Sequence, residues 1–256
     1  MNITGNTILI TGGGSGIGRA LAETFHKLGN EVIIAGRRRQ VLDETVAANP
    51  GMHALTLDIE SADGIRSFAD TVAKEYPKLN VVVHSAGIMR PENLLDPNDL
   101  ATLDATITTN LLGPIRLTAA LLPLLEKQPR STVMTVTSGL AYIPLALTPT
   151  YCATKAAIHS YSQALRYQLK STSVEVIELV PPYVQTELMG SAQASDPRAM
   201  PLQEFIDEVF SILKANPNVT EVLVERVKPL RFAELNGVEK YQEFFTSFNN
   251  AMLAPH

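Results

Sequence analysis

A phenol and an ammonium stand four residues apart in the stretch Pro149-Thr150-Tyr151-Cys152-Ala153-Thr154-Lys155, at the head of a segment with helical character. On a helix, positions i and i+4 share a face, so Tyr151 and Lys155 would be neighbours. A tyrosine near its ordinary pKa of about 10 is a weak proton donor at neutral pH. A cation beside it favours the phenolate and brings the hydroxyl towards the range useful for acid–base work. The same spacing also describes an incidental surface pair, so its meaning depends on what the rest of the chain places around it.

A second group of residues points to a ligand. The apolar run Thr7-Ile8-Leu9-Ile10 leads directly into Thr11-Gly12-Gly13-Gly14-Ser15-Gly16-Ile17-Gly18 and then into a helical pattern. Glycines at a strand-to-helix turn let the backbone approach a pyrophosphate, and the N–H groups of the helix start meet its charge. A purely structural turn uses glycine as well, but the strand-turn-helix context favours a dinucleotide. A triphosphate loop would need Lys and Ser/Thr after Gly18, where the chain has Arg19-Ala20. Cofactor choice is written at the end of the second strand, Ala35-Gly36-Arg37-Arg38-Arg39. No acid stands there to hold a ribose 2′-hydroxyl, and an arginine pairs well with a 2′-phosphate. Arg37, then Arg38, are the expected contacts, and the expected cofactor is NADP(H). A solvated basic start to the next helix is the competing account.

These groups need a scaffold, and the hydrophobic pattern describes one. Short apolar runs at Thr7–Ile10, Val32–Ala35, Ala54–Leu57, Val81–Val83, Thr132–Val136 and Val174–Val180 alternate with helical stretches such as Arg19–Leu28, which ends at Gly29-Asn30. Strands buried on both faces and alternating with helices predict an α/β fold, a single Rossmann-like, doubly wound, mostly parallel sheet with helices on both faces. No repeat or composition break divides residues 1–256, so one domain is expected. Gly190–Pro201 is small and polar and suggests a mobile substrate loop. Residues 231–252 place Phe232, Leu235, Val238, Tyr241, Phe244, Phe245, Phe248 and Met252 at helical steps, an aromatic stripe expected in a core or a subunit contact rather than a ligand box.

Composition removes several function classes. A formal charge of −5 offers no basic field for nucleic acid. The single cysteine, Cys152, is expected as a buried thiol, and it excludes a disulfide framework and a cysteine-cluster metal site. His26, His53, His84, His159 and His256 lack metal-ligand spacing, so no metal is expected. The start has no basic region followed by a long apolar run, and no uninterrupted apolar stretch reaches about 20 residues. A cytoplasmic protein without membrane association is the expectation.

Together these features resemble the short-chain dehydrogenase/reductase family over about the first 190 residues. Gly12-x-x-x-Gly16-x-Gly18 matches the family's widened glycine turn, with Ser15 and Ile17 inside it. Asp58-Ile59 matches the pair that meets the adenine. His84-Ser85-Ala86-Gly87 is similar to the family's Asn-Asn-Ala-Gly, and Pro181-Pro182-Tyr183-Val184-Gln185-Thr186 is similar to Pro-Gly-x-Val-x-Thr, which holds the nicotinamide end. Ser138 precedes Tyr151 by 13 residues, and Asn110 falls where the family has a helix asparagine. The pattern looks most like reductases named after the D-alanyl-lipoteichoic acid operon.

The resemblance implies a hydride-transferring enzyme in which Tyr151 is the general acid, and Lys155 lowers its pKa and holds the nicotinamide ribose. Ser138 would bind the substrate oxygen, and Asn110 would anchor a water leading to Lys155. Gly12, Ser15, Gly16, Ile17, Gly18, Arg37, Arg38, Asp58, Ile59, Ser85, Ala86, Gly87, Pro181, Val184 and Thr186 would bind the cofactor. Ser85 and Pro182 depart from the family pattern. The final Gly-rich strand ending is missing, with Val219–Val227 offering a last strand, so a tetramer is in doubt, while the family's pairing of the helices that follow Asn110 and Tyr151 implies a homodimer. Loops bearing Ile88, Met89, Leu140, Tyr142, Ile143, Leu145, Leu147, Tyr183, Leu188 and Met189 predict an apolar pocket for a small or medium ketone, aldehyde or secondary alcohol, which Arg90 could reach. The alternatives are a cofactor-binding regulator without turnover and a lyase or epimerase on the same scaffold.

Overall fold

The computed structural model describes residues 1–96 and 100–253. His256, one of the histidines considered as a metal ligand, lies outside them. The alternation of elements follows the hydrophobic pattern. In chain order they are β1 (Thr7–Thr11), α1 (Gly16–Lys27), β2 (Glu31–Gly36), α2 (Arg39–Ala48), β3 (His53–Thr56), α3 (Ala62–Glu75), β4 (Val81–His84), α4 (Leu100–Ile107) and α5 (Gly113–Leu125). There follow β5 (Ser131–Val136), α6 (Pro149–Gln168), β6 (Val174–Val180), α7 (Ser191–Ala194), α8 (Leu202–Ala215), β7 (Glu221–Leu223), α9 (Lys228–Arg231) and α10 (Val238–Leu253).

The seven strands pair in parallel in the order β3-β2-β1-β4-β5-β6-β7. Strand order reverses between β1 and β4, which opens a crevice at the carboxyl edge there. Period-two alternation sends the strand side chains to two cores. Ile8 and Ile10 join Phe25 of α1 and Phe205 of α8 on one face, while Leu9 and Val82 join Phe68 of α3 and Leu117 of α5 on the other. Edge-on packing of Phe25 against Phe210, centroids 4.8 Å apart, fastens α1 to α8.

Local signals set the element ends. The chain leaves α1 through Gly29 at φ 83°, a left-handed conformation suited to glycine. Ser61 caps α3 by accepting from the Gly64 N–H at 3.0 Å, with Asp63 in the first turn. Between α4 and α5 the helix widens into a π-type turn, Thr108–Leu112. The continuous helix Leu100–Leu125 is long and apolar enough to span a membrane by length and composition. Here Leu117, Leu121 and Leu125 are buried in the core against the sheet.

Three sequence expectations are corrected. The third strand starts one residue earlier than expected and stops at Thr56, although the Leu57 N–H still donates to Gly36 O at 3.0 Å. The single helix expected over residues 231–252 is divided, because Gly237 at φ 91° ends a short 3₁₀ turn before α10 begins. The segment 190–201 is not loop throughout. It contains α7, the Val184–Met200 bridge, and the buried Gln193, whose amide donates to Val184 O at 2.8 Å.

Candidate active site

The crevice at the strand-order reversal is a cleft of about 1310 Å³. Glycine geometry explains its closed end. A Cβ on Gly12, at φ +69°, would lie 2.8 Å from Ala86 Cα, and one on Gly18 would lie 2.4 Å from Gly12 O. Both positions therefore admit only glycine without displacing backbone. Thr11 Oγ1 accepts from the N–H groups of Ser85 and Ala86, each at 3.2 Å, so the loop after β4 is fixed to the glycine turn by a side chain from β1. Ser85 Oγ faces Gly18.

This end suits an anionic dinucleotide. Ser15, the N-cap of α1, makes no capping bond through its side chain, and the first turn carries no acid. The positive end of the helix dipole is thus left for a ligand. Arg38 Nη2 donates to Ser15 Oγ at 3.4 Å, and Arg37 and Arg38 both line the cleft. Gly12, Ser15, Gly16, Ile17, Gly18, Ile59, Ser85, Ala86, Gly87, Pro181, Val184 and Thr186 line it as well. Asp58 does not. Its carboxylate is exposed and accepts from the Glu60 N–H at 3.1 Å. The chain's own residues therefore form a polar, cation-bearing cradle that fits an anionic dinucleotide.

The other half of the cleft holds the reactive side chains. Ser138 follows β5, and Tyr151 and Lys155 come from the first turns of α6; all three line the cleft. Tyr151 is 5% exposed and lines the cleft beside Ser138, whose hydroxyl accepts from the Leu140 N–H at 3.1 Å. Lys155 Nζ donates to Val136 O at 2.7 Å and stands 5.4 Å from the Tyr151 ring centroid. The expected i,i+4 pairing is present.

The electrostatics differ from expectation. Burial drives the Tyr151 phenol well above its ordinary pKa, and the nearby Ser138 hydroxyl pulls the other way. Burial also lowers the pKa of Lys155 to about 8. Asn110 lies behind the cleft wall in the π-type turn. Its side chain accepts from the Ile88 N–H at 2.9 Å and donates to Ile88 O at 2.8 Å, so it clamps the loop after β4.

The apolar end contains Ile88, Met89, Leu140, Leu145, Leu147, Tyr183, Leu188 and Met189 as expected, with Arg90 also on the wall. Tyr142 and Ile143 do not line it. Both are buried behind, and the Tyr142 hydroxyl donates to Glu178 Oε1 at 3.1 Å. Sequence reasoning missed Phe248 and Met252, which reach the cleft from α10 and pack with Met89, Leu145, Tyr151 and Cys152. Their helical spacing was visible, but not which face would meet α6. Asn249 locks this arrangement by accepting from the Ala146 N–H at 2.6 Å and donating to Pro144 O at 3.1 Å. Cys152 is buried, and burial raises its pKa.

Among the described residues, His159, Glu178 and Glu221 bring ligand-type atoms within 4.8 Å of one another, a grouping that histidine spacing did not suggest. Their atoms are already engaged. Fully buried Glu178 accepts from Thr137 at 2.8 Å and pairs with His159 at 2.8 Å, and Glu221 forms a two-point ion pair with Arg231.

Comparison with known proteins agrees with this architecture. Residues 6–197 match the short chain dehydrogenase family. The uncharacterized oxidoreductase DltE of Bacillus subtilis is 41% identical over 237 residues, covering 91% of this chain and 93% of the relative. An uncharacterized oxidoreductase of Staphylococcus epidermidis is 28% identical over 222 residues, covering 86% and 96%. Among solved structures, a short-chain dehydrogenase from Streptomyces avermitilis superposes with a TM-score of 0.81 at 24% identity, covering 98% of this chain and 100% of the other. One from Burkholderia cenocepacia, solved in complex with NADP, gives 0.79 at 21% identity over the whole of both chains. With the family matched across most of its length and a relative above 40% identity, the chain belongs to the short chain dehydrogenase family and is an oxidoreductase of that family.

Proposed function

We propose that this oxidoreductase is an NADP(H)-dependent carbonyl reductase or alcohol dehydrogenase acting on small to medium, mainly apolar ketones, aldehydes or secondary alcohols. The observation that carries the reading is that Ser138, Tyr151 and Lys155 meet in one cleft between a glycine cradle flanked by Arg37 and Arg38 and a wall of Met89, Leu145, Leu147, Phe248 and Met252. When bound, the nicotinamide supplies or accepts the hydride.

The chain's residues do the rest. A phenol whose pKa burial has raised stays protonated at neutral pH, so Tyr151 holds the proton that a carbonyl oxygen needs on reduction. The Ser138 hydroxyl, fixed beside that phenol, also stabilises charge developing on the oxygen. Lys155, with a pKa of about 8, is mostly an ammonium at pH 7. Placed under the Tyr151 ring, it favours the phenolate left after proton transfer. Asn110 holds the Ile88 peptide and hence the wall beside Lys155, and its proposed share in proton supply rests on that position. Gly12, Gly16, Gly18, Ser15, Arg37, Arg38, Ile59, Ser85, Ala86, Gly87, Pro181, Val184 and Thr186 would hold the cofactor. Asp58 would join them through a solvent-facing contact.

A homodimer in the cytoplasm, without nucleic-acid or membrane partners, completes the proposal. It is tested by following NADPH and NADH consumption with a panel of ketones and aldehydes. Turnover of apolar carbonyl compounds with NADPH favoured by at least about tenfold is expected, since an arginine–phosphate pair distinguishes the two. Comparable efficiency with both cofactors would contradict the NADP(H) assignment.

A further inference from the structure

At the adenosine end of the cleft, the two arginines assigned to a 2′-phosphate are not equivalent. Arg38 leans on Ser15, a neutral hydroxyl, at 3.4 Å. Arg37 Nη1 donates to Glu60 Oε1 at 2.5 Å. The same Glu60 oxygen accepts from Thr109 Oγ1 at 2.9 Å, and the Glu60 N–H is held by Asp58 at 3.1 Å. Thr109 is 3% exposed and precedes Asn110 in the π-type turn, so the carboxylate is held from behind by a buried hydroxyl. Glu60 stands 23 residues after Arg37 and was not among the residues singled out from sequence.

We propose that Glu60 is a specificity-determining residue of the cofactor site, an internal carboxylate that competes with a 2′-phosphate for Arg37. The inference rests on the NADP(H) reading and refines it. A guanidinium grips a phosphate through its fork of N–H donors, and a donor spent on a carboxylate is taken from that fork. The competition for that one guanidinium narrows the advantage of NADP(H) over NAD(H). Thr109 keeps the carboxylate in place in the absence of Arg37.

The test uses nucleotide binding, independent of turnover. Calorimetric dissociation constants for 2′,5′-ADP and 5′-AMP are compared in wild type, Glu60→Gln, Arg37→Ala and the double variant. Glutamine keeps an acceptor for Thr109 and removes only the charge. Glu60→Gln is expected to tighten 2′,5′-ADP by about fivefold at low salt while 5′-AMP stays within about twofold, the scale of a partly exposed ion pair. The gain shrinks as salt is raised. In the Arg37→Ala background it falls to within about twofold, because the competition runs through that arginine. Retained 5′-AMP binding certifies the fold of each variant. An unchanged 2′,5′-ADP affinity in Glu60→Gln, or an equal gain for 5′-AMP, overturns the proposal. A wild type that binds the two nucleotides equally while Glu60→Gln prefers 2′,5′-ADP supports the role of Glu60 and contradicts the NADP(H) reading, so the two failures are distinguishable.

Discussion

The two ends of the cleft are built by different means. The glycine end is backbone. Gly12 and Gly18 bring main chain within reach of main chain, Thr11 fixes the neighbouring loop, and the start of α1 offers N–H groups. The apolar end is made of side chains from segments far apart in sequence: Met89, Leu145, Leu147, Phe248 and Met252. Backbone geometry tolerates few substitutions, whereas a wall of side chains can be remade one residue at a time. The contrast teaches that the cofactor class is fixed by the fold and the substrate class by a replaceable lining.

The sharpest way to break this comparison is a methyl group at the backbone end. Gly18→Ala would place a Cβ 2.4 Å from Gly12 O. NADPH affinity measured by fluorescence titration is expected to fall by at least about 100-fold, since the glycine turn must distort. Near-normal binding would show that the cradle is less rigid than its contacts imply.

A second prediction concerns the support beneath that end. His84 is buried, with Nε2 against Thr118 Oγ1 at 2.8 Å, and burial lowers its pKa to about 4. Once unfolded it titrates near 6.5. Between these values the unfolded chain binds more protons, so stability falls as pH drops through the window. Urea unfolding should show a loss from this group of about 2 kcal/mol between pH 7 and pH 5. His84→Asn should remove that part of the slope, and an identical slope in both proteins would reject it.

The smallest effect is expected at the side-chain end. Phe248→Ala removes one face of the substrate wall, and KM for bulky apolar ketones should rise by about tenfold, the worth of part of a buried aromatic ring. The kcat for small substrates and the affinity for NADPH should stay unchanged. A parallel loss for every substrate would mean that α10 supports the fold rather than selecting the ligand.

The same division governs what could be read from sequence. The apolar runs that became β1, β2, β4, β5 and β6 are local and period-specific, so they were legible to within a residue or two. The glycine turn and the Tyr151–Lys155 spacing were legible because both lie within single elements. The unreadable parts depend on pairs brought together only by the tertiary fold. Phe248 meets Met89 and Tyr151, Arg37 meets Glu60, and Tyr142 turns inward because Glu178, a carboxylate inside a strand, needs donors. Burial is likewise a tertiary property, which is why Tyr151 looked like an acidified phenol in sequence and is a desolvated one in the structure. For Glu178, burial opposes ionisation, but hydrogen bonds from His159, Thr137 and Tyr142 outweigh it and hold the carboxyl below its ordinary range.

The central claim is that Tyr151 delivers the proton in a cleft that binds NADPH independently of it. Single-turnover NADPH oxidation and NADPH binding, measured together in wild type and Tyr151→Phe, test this directly. The expected result is binding within about threefold of wild type and a rate lower by about 100-fold or more, the usual contribution of a positioned proton donor. A Tyr151→Phe variant that binds NADPH normally and oxidises it at the wild-type rate would contradict the account.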